Sequence, residues 1–145
     1  MRINEKGLKL LKQFEGCKLK TYKCVAGILT IGYGHTGKDV REGQTITQEE
    51  ADKLLEGDLK RFEEGVADLV KVPVNSNQFS ALVVFAYNIG LNALSGSTLL
   101  KRLNAGDIRG ASEQFIRWNR AGGKEVQGLT NRRLAEKDLF LTLPV

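Results

Sequence analysis

The sequence predicts an α+β fold: a small N-terminal lobe containing a β-sheet, a long connecting helix, and an all-helical C-terminal lobe. Three observations carry this reading. Between residues 17 and 47, Thr, Tyr, Val and Ile alternate among glycines, the texture of short antiparallel strands with tight turns. From Thr47 to about Val70, apolar residues recur at three- and four-residue spacing, the period of an amphipathic helix. The rest of the chain carries only helical patterns.

Residues 4–14 read as the first helix. Asn4 is an N-cap, Ile3, Leu8, Leu11 and Phe14 (with Leu10 beside them) fall near one face, and Gly16 stops it. A turn at Ala26-Gly27 joins a strand over 19–23 to one over 28–33. Thr47-Gln48-Glu49-Glu50 fits a capping box, a hydroxyl at the cap and a carboxylate three later reaching back. Ala51, Leu54, Leu55, Leu59, Phe62, Val66 and Leu69 line the long helix behind it, and Val72-Pro73 closes it. A second helix spans 76–89, and its segment FSALVVFAYNIG is apolar on nearly every side, so it should be buried at the centre of a helical lobe. Shorter helices follow over 97–103, 107–118 and 130–140. The expected organisation is one domain over 1–145: an N-lobe over about 15–46, a connecting helix over about 47–70, a C-lobe over about 71–145, and helix 4–14 packed at the junction. Two lobes joined in this way leave a cleft, where ligands usually bind.

Bulk properties narrow the function. Hydrophobic residues are 41% and charged residues 27%, ordinary globular values. The longest apolar run, Ala81 to Ala86, is far short of the ~20 residues of a membrane span. The opening MRINEKGLKLLKQFEG has no signal-peptide core, so the expectation is a product made soluble in the cytoplasm that needs other help to reach an outside target. A net charge of +5 favours an anionic partner: nucleic acid, a membrane surface or a cell-wall polymer. The basic residues Arg102, Arg109, Arg117, Arg120, Lys124, Arg132 and Arg133 are dispersed among acids, and a solvated basic surface accounts for them as well as a polyanion site does. Cys17, Cys24 and His35 are too few for a four-ligand zinc site, so no metal or other cofactor is implied.

GYGHTG, residues 32–37, satisfies G-x-G-x-x-G literally. The dinucleotide fingerprint needs a helix opening directly behind the glycines, and here Lys38-Asp39-Val40-Arg41-Glu42-Gly43 follows with no helical period. The glycines fit better as a strand end against which a bulky ligand lies. His35 has two readings, a buried histidine paired with a carboxylate or a catalytic base.

Glu15 closes the first helix beside Phe14, in partly apolar company that would raise a carboxyl pKa and suit a general acid. Cys24 follows nine residues on and Thr30 six further. They come from a helix end, a hairpin turn and the next strand, and could converge. The phrase FEG…YKCVAGILTIGYGHTG resembles the glutamate-(eight)-aspartate-(five)-threonine core of phage-type lysozymes, the endolysins related to those of T4-like and P22-like phages. NSNQFSALVVFAYNIG, STLLKRLNAGD, the Trp118 region with AGGK, and GLTNRRLAEKDLFL resemble later segments of that family in the same order, so the likeness runs along the whole chain.

The resemblance implies a lysozyme-like fold and hydrolysis of the β-1,4 bond between N-acetylmuramic acid and N-acetylglucosamine. Glu15 would protonate the leaving oxygen, the second residue would stabilise the cation and orient or deprotonate a water, and Thr30 would hold that water, with inversion as the family's outcome. The second residue is usually aspartate and here is Cys24. As thiolate it could be base or electrostatic partner, or attack the anomeric carbon; as neutral thiol it could only position. A small apolar turn filler is its structural reading, and Cys17 reads as a buried small residue or a redox partner for Cys24. Substrate contacts implied by motif position are Gly34, His35 and Thr36, and Tyr87, Asn88, Thr98, Ser112 and Arg117 in the C-lobe. The family also implies that His35 pairs with a carboxylate on the long helix, at Asp58. The implied partner is the glycan strand of peptidoglycan, met by a monomer that waits in the host cytoplasm until a separate holin-type permeabiliser releases it. The competing reading is a module that binds peptidoglycan or another polyanion without cutting it; nucleic acid is disfavoured because no recognised binding motif appears.

Overall fold

Asn4 opens the first helix, its Oδ1 accepting from the Gly7 N–H at 2.9 Å, and α1 runs Glu5–Glu15. Gly16, at φ 67°, takes the left-handed conformation that ends it and turns the chain into the hairpin. The structure, a computed structural model, describes residues 1–24 and 26–144. After the hairpin strands β1 (Lys18–Lys23) and β2 (Leu29–Gly32) come α2 (Gln48–Leu69), α3 (Ser76–Ile89), α4 (Leu91–Ser95), α5 (Thr98–Asn104) and α6 (Ile108–Ser112). A 3-10 turn at Phe115–Trp118, a two-residue hairpin of β3 (Arg120–Ala121) and β4 (Lys124–Glu125), and α7 (Gln127–Leu141) complete the α+β architecture. The chain divides into two compact units, Leu11–Arg61, and Met1–Leu10 with Phe62–Val145, so both boundaries fall inside helices.

In the unit of residues 11–61, β1 and β2 pair antiparallel with Tyr22 opposite Thr30 and Lys23 opposite Leu29, and the register slips between Lys18 and Tyr22. A third segment supports β1 from its other edge: the Thr21 N–H donates to the Gln44 carbonyl (2.9 Å) and the Ile46 N–H to the Leu19 carbonyl (2.8 Å). Gly32, at φ 67°, ends β2 in the left-handed region, where a side chain would be strained. Leu11, Ile31, Tyr33, Val40, Ile46, Ala51, Leu55 and Leu59 are buried. The capping box at the start of α2 is formed as the sequence predicts: the Glu50 N–H donates to Thr47 Oγ1, and the Thr47 N–H to Glu50 Oε1, each at 3.1 Å.

In the other unit α3 is the central element, buried from Phe79 through Ala86, with Asn75 and Gln78 forming a reciprocal capping box at its start. Gly7 lets α1 come against α3, since a Cβ there would lie 2.7 Å from that of Ser80. The Asn4 N–H donates to Ser80 Oγ (2.9 Å) and the Ile3 N–H to Glu63 (2.7 Å), tying the first residues to this unit. Phe85, Phe115, Trp118 and Phe140 form an edge-to-face cluster, with centroids of successive pairs 5.0–5.9 Å apart.

Three sequence expectations are corrected. Residues 107–118 are not one helix. Asp107 caps α6, the Ser112 hydroxyl bonds back to the Arg109 carbonyl (2.6 Å), and the following turn tightens into the 3-10 segment that carries Phe115 into the core. The last helix starts at Gln127 rather than 130, because Val126 already closes the small hairpin with its N–H on the Asn119 carbonyl. Arg132 and Arg133 are not surface cations. Both are buried around Glu136, with Arg133 Nε 2.7 Å and Arg132 Nε 3.1 Å from its carboxylate. Arg133 also donates to Asn88 Oδ1 (2.7 Å) and lies 5.0 Å from the centre of the Phe85 ring, and Arg132 donates to the Val84 carbonyl (3.1 Å).

Candidate active site

Glu15 is the last residue of α1, half-buried, and the chain passes from it through Gly16 into β1. Strand alternation then gives Tyr22 and Cys24 the same side of the hairpin, and pairing sets Thr30 opposite Tyr22. Burial first, and then the nearby charges of Glu15 and Cys24, push the Tyr22 phenol pKa above its ordinary value. The residues predicted from the sequence as Glu15, Cys24 and Thr30 therefore cluster around a fourth, Tyr22, which sequence reasoning passed over. The signal was present: Tyr22 stands two before Cys24 in YKC, one strand period away.

Cys24 is a half-buried free thiol at the end of the hairpin. Its N–H donates to the Ile28 carbonyl (3.0 Å) and its carbonyl accepts from Gly27 (2.8 Å), whose φ of 77° makes the tight turn possible. The backbone N–H groups of Ile28 and Ala26, aided by the Thr30 hydroxyl, hold the thiol pKa below its ordinary value despite some desolvation. Thr30 is 3% exposed and its hydroxyl also donates to the Ile28 carbonyl at 3.0 Å. One hydroxyl proton thus has two acceptors: it can rest on Ile28 while Cys24 is a thiol and turn to sulfur as the thiolate forms. Cys17, also free, precedes β1 while Cys24 follows it. Seven residues of strand span on the order of 20 Å, against the ~7 Å beyond which two cysteines cannot be bridged, so the two thiols are not partners within one chain.

His35 is held on both sides, Nδ1 2.7 Å from Asp58 and Nε2 3.0 Å from Asp39. Burial lowers its pKa, but hydrogen bonds to Asp58 and Asp39 outweigh this and the net shift is upward. Asp39 is lowered by its hydrogen bond to His35. With both ring nitrogens committed to carboxylates, the imidazole anchors the segment after β2 to α2. A raised folded pKa means the His35 contribution to stability is complete below the unfolded value near 6.5 and is lost as pH rises through the folded value. The Asp39 contribution is present above its unfolded value and lost as pH falls. His35→Gln is therefore expected to cost roughly 1.5–3 kcal/mol near pH 5.5 and little above pH 9, by thermal unfolding at the two pH values. An equal loss at both would show that the pair adds no charge-dependent stability.

Gly34 (φ 82°) and exposed Thr36 flank His35. Of the residues assigned to the C-lobe, Tyr87 is half-buried and packs on Phe62 at 5.1 Å, and Asn88 accepts from buried Arg133. Thr98, the first residue of α5, and Arg117 are exposed, while Ser112 is 2% exposed and hydrogen-bonded within its own helix.

A model of the family described as phage lysozyme matches residues 12–136. The endolysin of Bacillus phage B103 is 51% identical over 144 residues, covering 98% of this chain and 55% of that protein. The chain thus spans about half the length of the Bacillus phage relatives it matches. The endolysin of Salmonella phage P22 is 43% identical over 146 residues, covering 98% of this chain and 99% of that one. Among solved structures, the muramidase domain of SpmX from Asticaccaulis excentricus superposes with a TM-score of 0.92 at 40% identity, over 98% of this chain and 99% of that one.

Proposed function

The chain belongs to the phage lysozyme family, and from that premise we propose that it is a peptidoglycan hydrolase, an N-acetylmuramidase that lyses the bacterial host. The observation that supports the reading is the pairing of Thr30 with Tyr22 across the hairpin and the bond of its hydroxyl to Cys24, with Glu15 at the end of the helix that leads into β1. Glu15, in its acid form, gives its proton to the oxygen between N-acetylmuramic acid and N-acetylglucosamine. The C1–O bond breaks and its electron pair leaves with that oxygen, while C1 becomes oxocarbenium-like. A water held by the Thr30 hydroxyl attacks C1 from the opposite face and passes its proton to the Cys24 thiolate. Proton exchange with solvent then restores both groups. Attack by sulfur itself is the second route, consistent with the lowered thiol pKa: a C1–S bond forms as the C1–O bond breaks, and a water deprotonated by Glu15 then displaces the thiolate from C1, so that two inversions retain the anomeric configuration.

On the ligand side we assign glycan contacts to Gly34, His35 and Thr36, and to Tyr87, Asn88, Thr98 and Arg117; Ser112, 2% exposed and donating to the Arg109 carbonyl, is left out of that set. The protein works as a monomer that waits in the host cytoplasm for a holin-type permeabiliser. Among the described residues no helix is long and apolar enough to cross a membrane.

The test is clearing of outer-membrane-permeabilised Gram-negative cells, followed by product analysis. New reducing-end muramic acid is expected; release of stem peptides without new reducing ends would overturn the assignment. The rate should rise with pH along a thiolate limb lying below the ~8.5 of an ordinary thiol. Cys24→Asp should move that limb below pH 5, and Cys24→Ala should lose on the order of 100-fold in turnover. Unchanged turnover in Cys24→Ala would take the sulfur out of the mechanism.

A further inference from the structure

Tyr22 has no part in the scheme above, yet it occupies the middle of the cluster. It faces Thr30 across the hairpin, shares a side of the strand with Cys24, and is 38% exposed. We infer that Tyr22 is a substrate-contacting residue, its ring lying against the sugar beside the bond to be cut and its hydroxyl donating to that sugar. The inference rests on the proposed hydrolysis and adds to it a residue that orients the glycan.

Two features favour this role over that of an ordinary exposed strand tyrosine. An aromatic ring with one open face and a polar tip suits a sugar, which presents a C–H face and a rim of hydroxyls. Burial, then the negative charges of Glu15 and Cys24, push the phenol pKa up. The hydroxyl therefore stays a donor across the range in which Cys24 becomes a thiolate, so substrate orientation does not fail at the pH where the base forms. A lysine at the same position would instead pair with Glu15 or Cys24 and compete with their chemistry.

Tyr22→Phe and Tyr22→Ala are compared with the parent and Glu15→Gln on a soluble peptidoglycan oligomer, with kcat and KM separated across pH. Loss of one neutral hydrogen bond is expected to lower kcat/KM about three- to tenfold in Tyr22→Phe, and loss of the ring a further ~10-fold in Tyr22→Ala, mainly through KM. The thiolate limb should stay at the parental value, since a neutral phenol is exchanged for a neutral side chain, and the thermal midpoint of Tyr22→Phe should match the parent, since the ring is kept. Parental kcat/KM in both variants overturns the inference. So does a loss confined to a displaced pH limb or a lowered thermal midpoint, which would mean that Tyr22 only tunes Cys24 or supports the hairpin. If Glu15→Gln cleaves at the parental rate, the hydrolase reading itself fails and the Tyr22 role falls with it; an inactive Glu15→Gln beside Tyr22 variants of parental kcat/KM removes the Tyr22 role alone.

Discussion

Glu15→Gln is expected to leave the protein folded and to slow clearing of a wall suspension by about 10²–10⁴-fold, the range that a positioned general acid contributes. The amide matches the carboxyl in shape and can still donate a hydrogen bond. It has no proton to surrender to a departing alkoxide, so the C1–O bond would have to break without protonation. The change sits at the end of α1, beside Gly16, which makes the turn by its own backbone conformation. Far-UV circular dichroism and thermal midpoint should therefore match the parent within about 2 °C. The comparison also separates cutting from mere binding. A module that only holds glycan would keep its affinity for insoluble wall and would never have cleared the suspension. Parental clearing by Glu15→Gln would remove this carboxyl from the chemistry.

The second large effect concerns stability. Glu136→Ala should destabilise by roughly 3–5 kcal/mol, because two guanidinium groups would be left buried without their shared anion. For a chain of this size that is a fall of the thermal midpoint by about 10 °C or more. Asn88 Oδ1 and the Val84 carbonyl would still accept from the arginines, but neither carries a charge to offset theirs. Replacing Arg132, Arg133 and Glu136 together by apolar residues of similar volume should recover much of the loss, since the cost lies in burying two guanidinium groups without the carboxylate they share rather than in an empty space. A midpoint within about 2 °C of the parent in Glu136→Ala would mean that water or another group reaches the arginines.

Local rules made part of this molecule legible. Asn4, the Thr47–Glu50 box and the apolar helix 76–89 announce themselves through side chains that act on their own backbone or through a periodicity no loop would carry. The Gly-Gly pair at 122–123 is a two-residue hairpin signal of the same kind, and β3 and β4 flank it, yet each strand is too short to show alternation. Long-range packing was not legible. The helical pattern over 107–118 breaks because Phe115 is drawn into contact with Phe85 and Phe140, and no local residue marks that break. Arg132 and Arg133 read as surface cations until Glu136, three and four residues on, is seen to be buried with them. At the candidate site, Glu15, Cys24 and Thr30 came from family wording, whereas Tyr22 needed the register of the hairpin.

The division of the chain bears on how it is made. Residues 1–10 belong to a body otherwise built from 62 onward, while 11–61 form a continuous stretch between. On the ribosome the middle stretch can settle as soon as it emerges, through contacts close in sequence. The opening residues must wait for Glu63 and Ser80 to emerge before they find their places. Vectorial synthesis therefore favours an order in which the hairpin carrying Cys24 matures early and the helical body closes late, around contacts of high order that fold slowly.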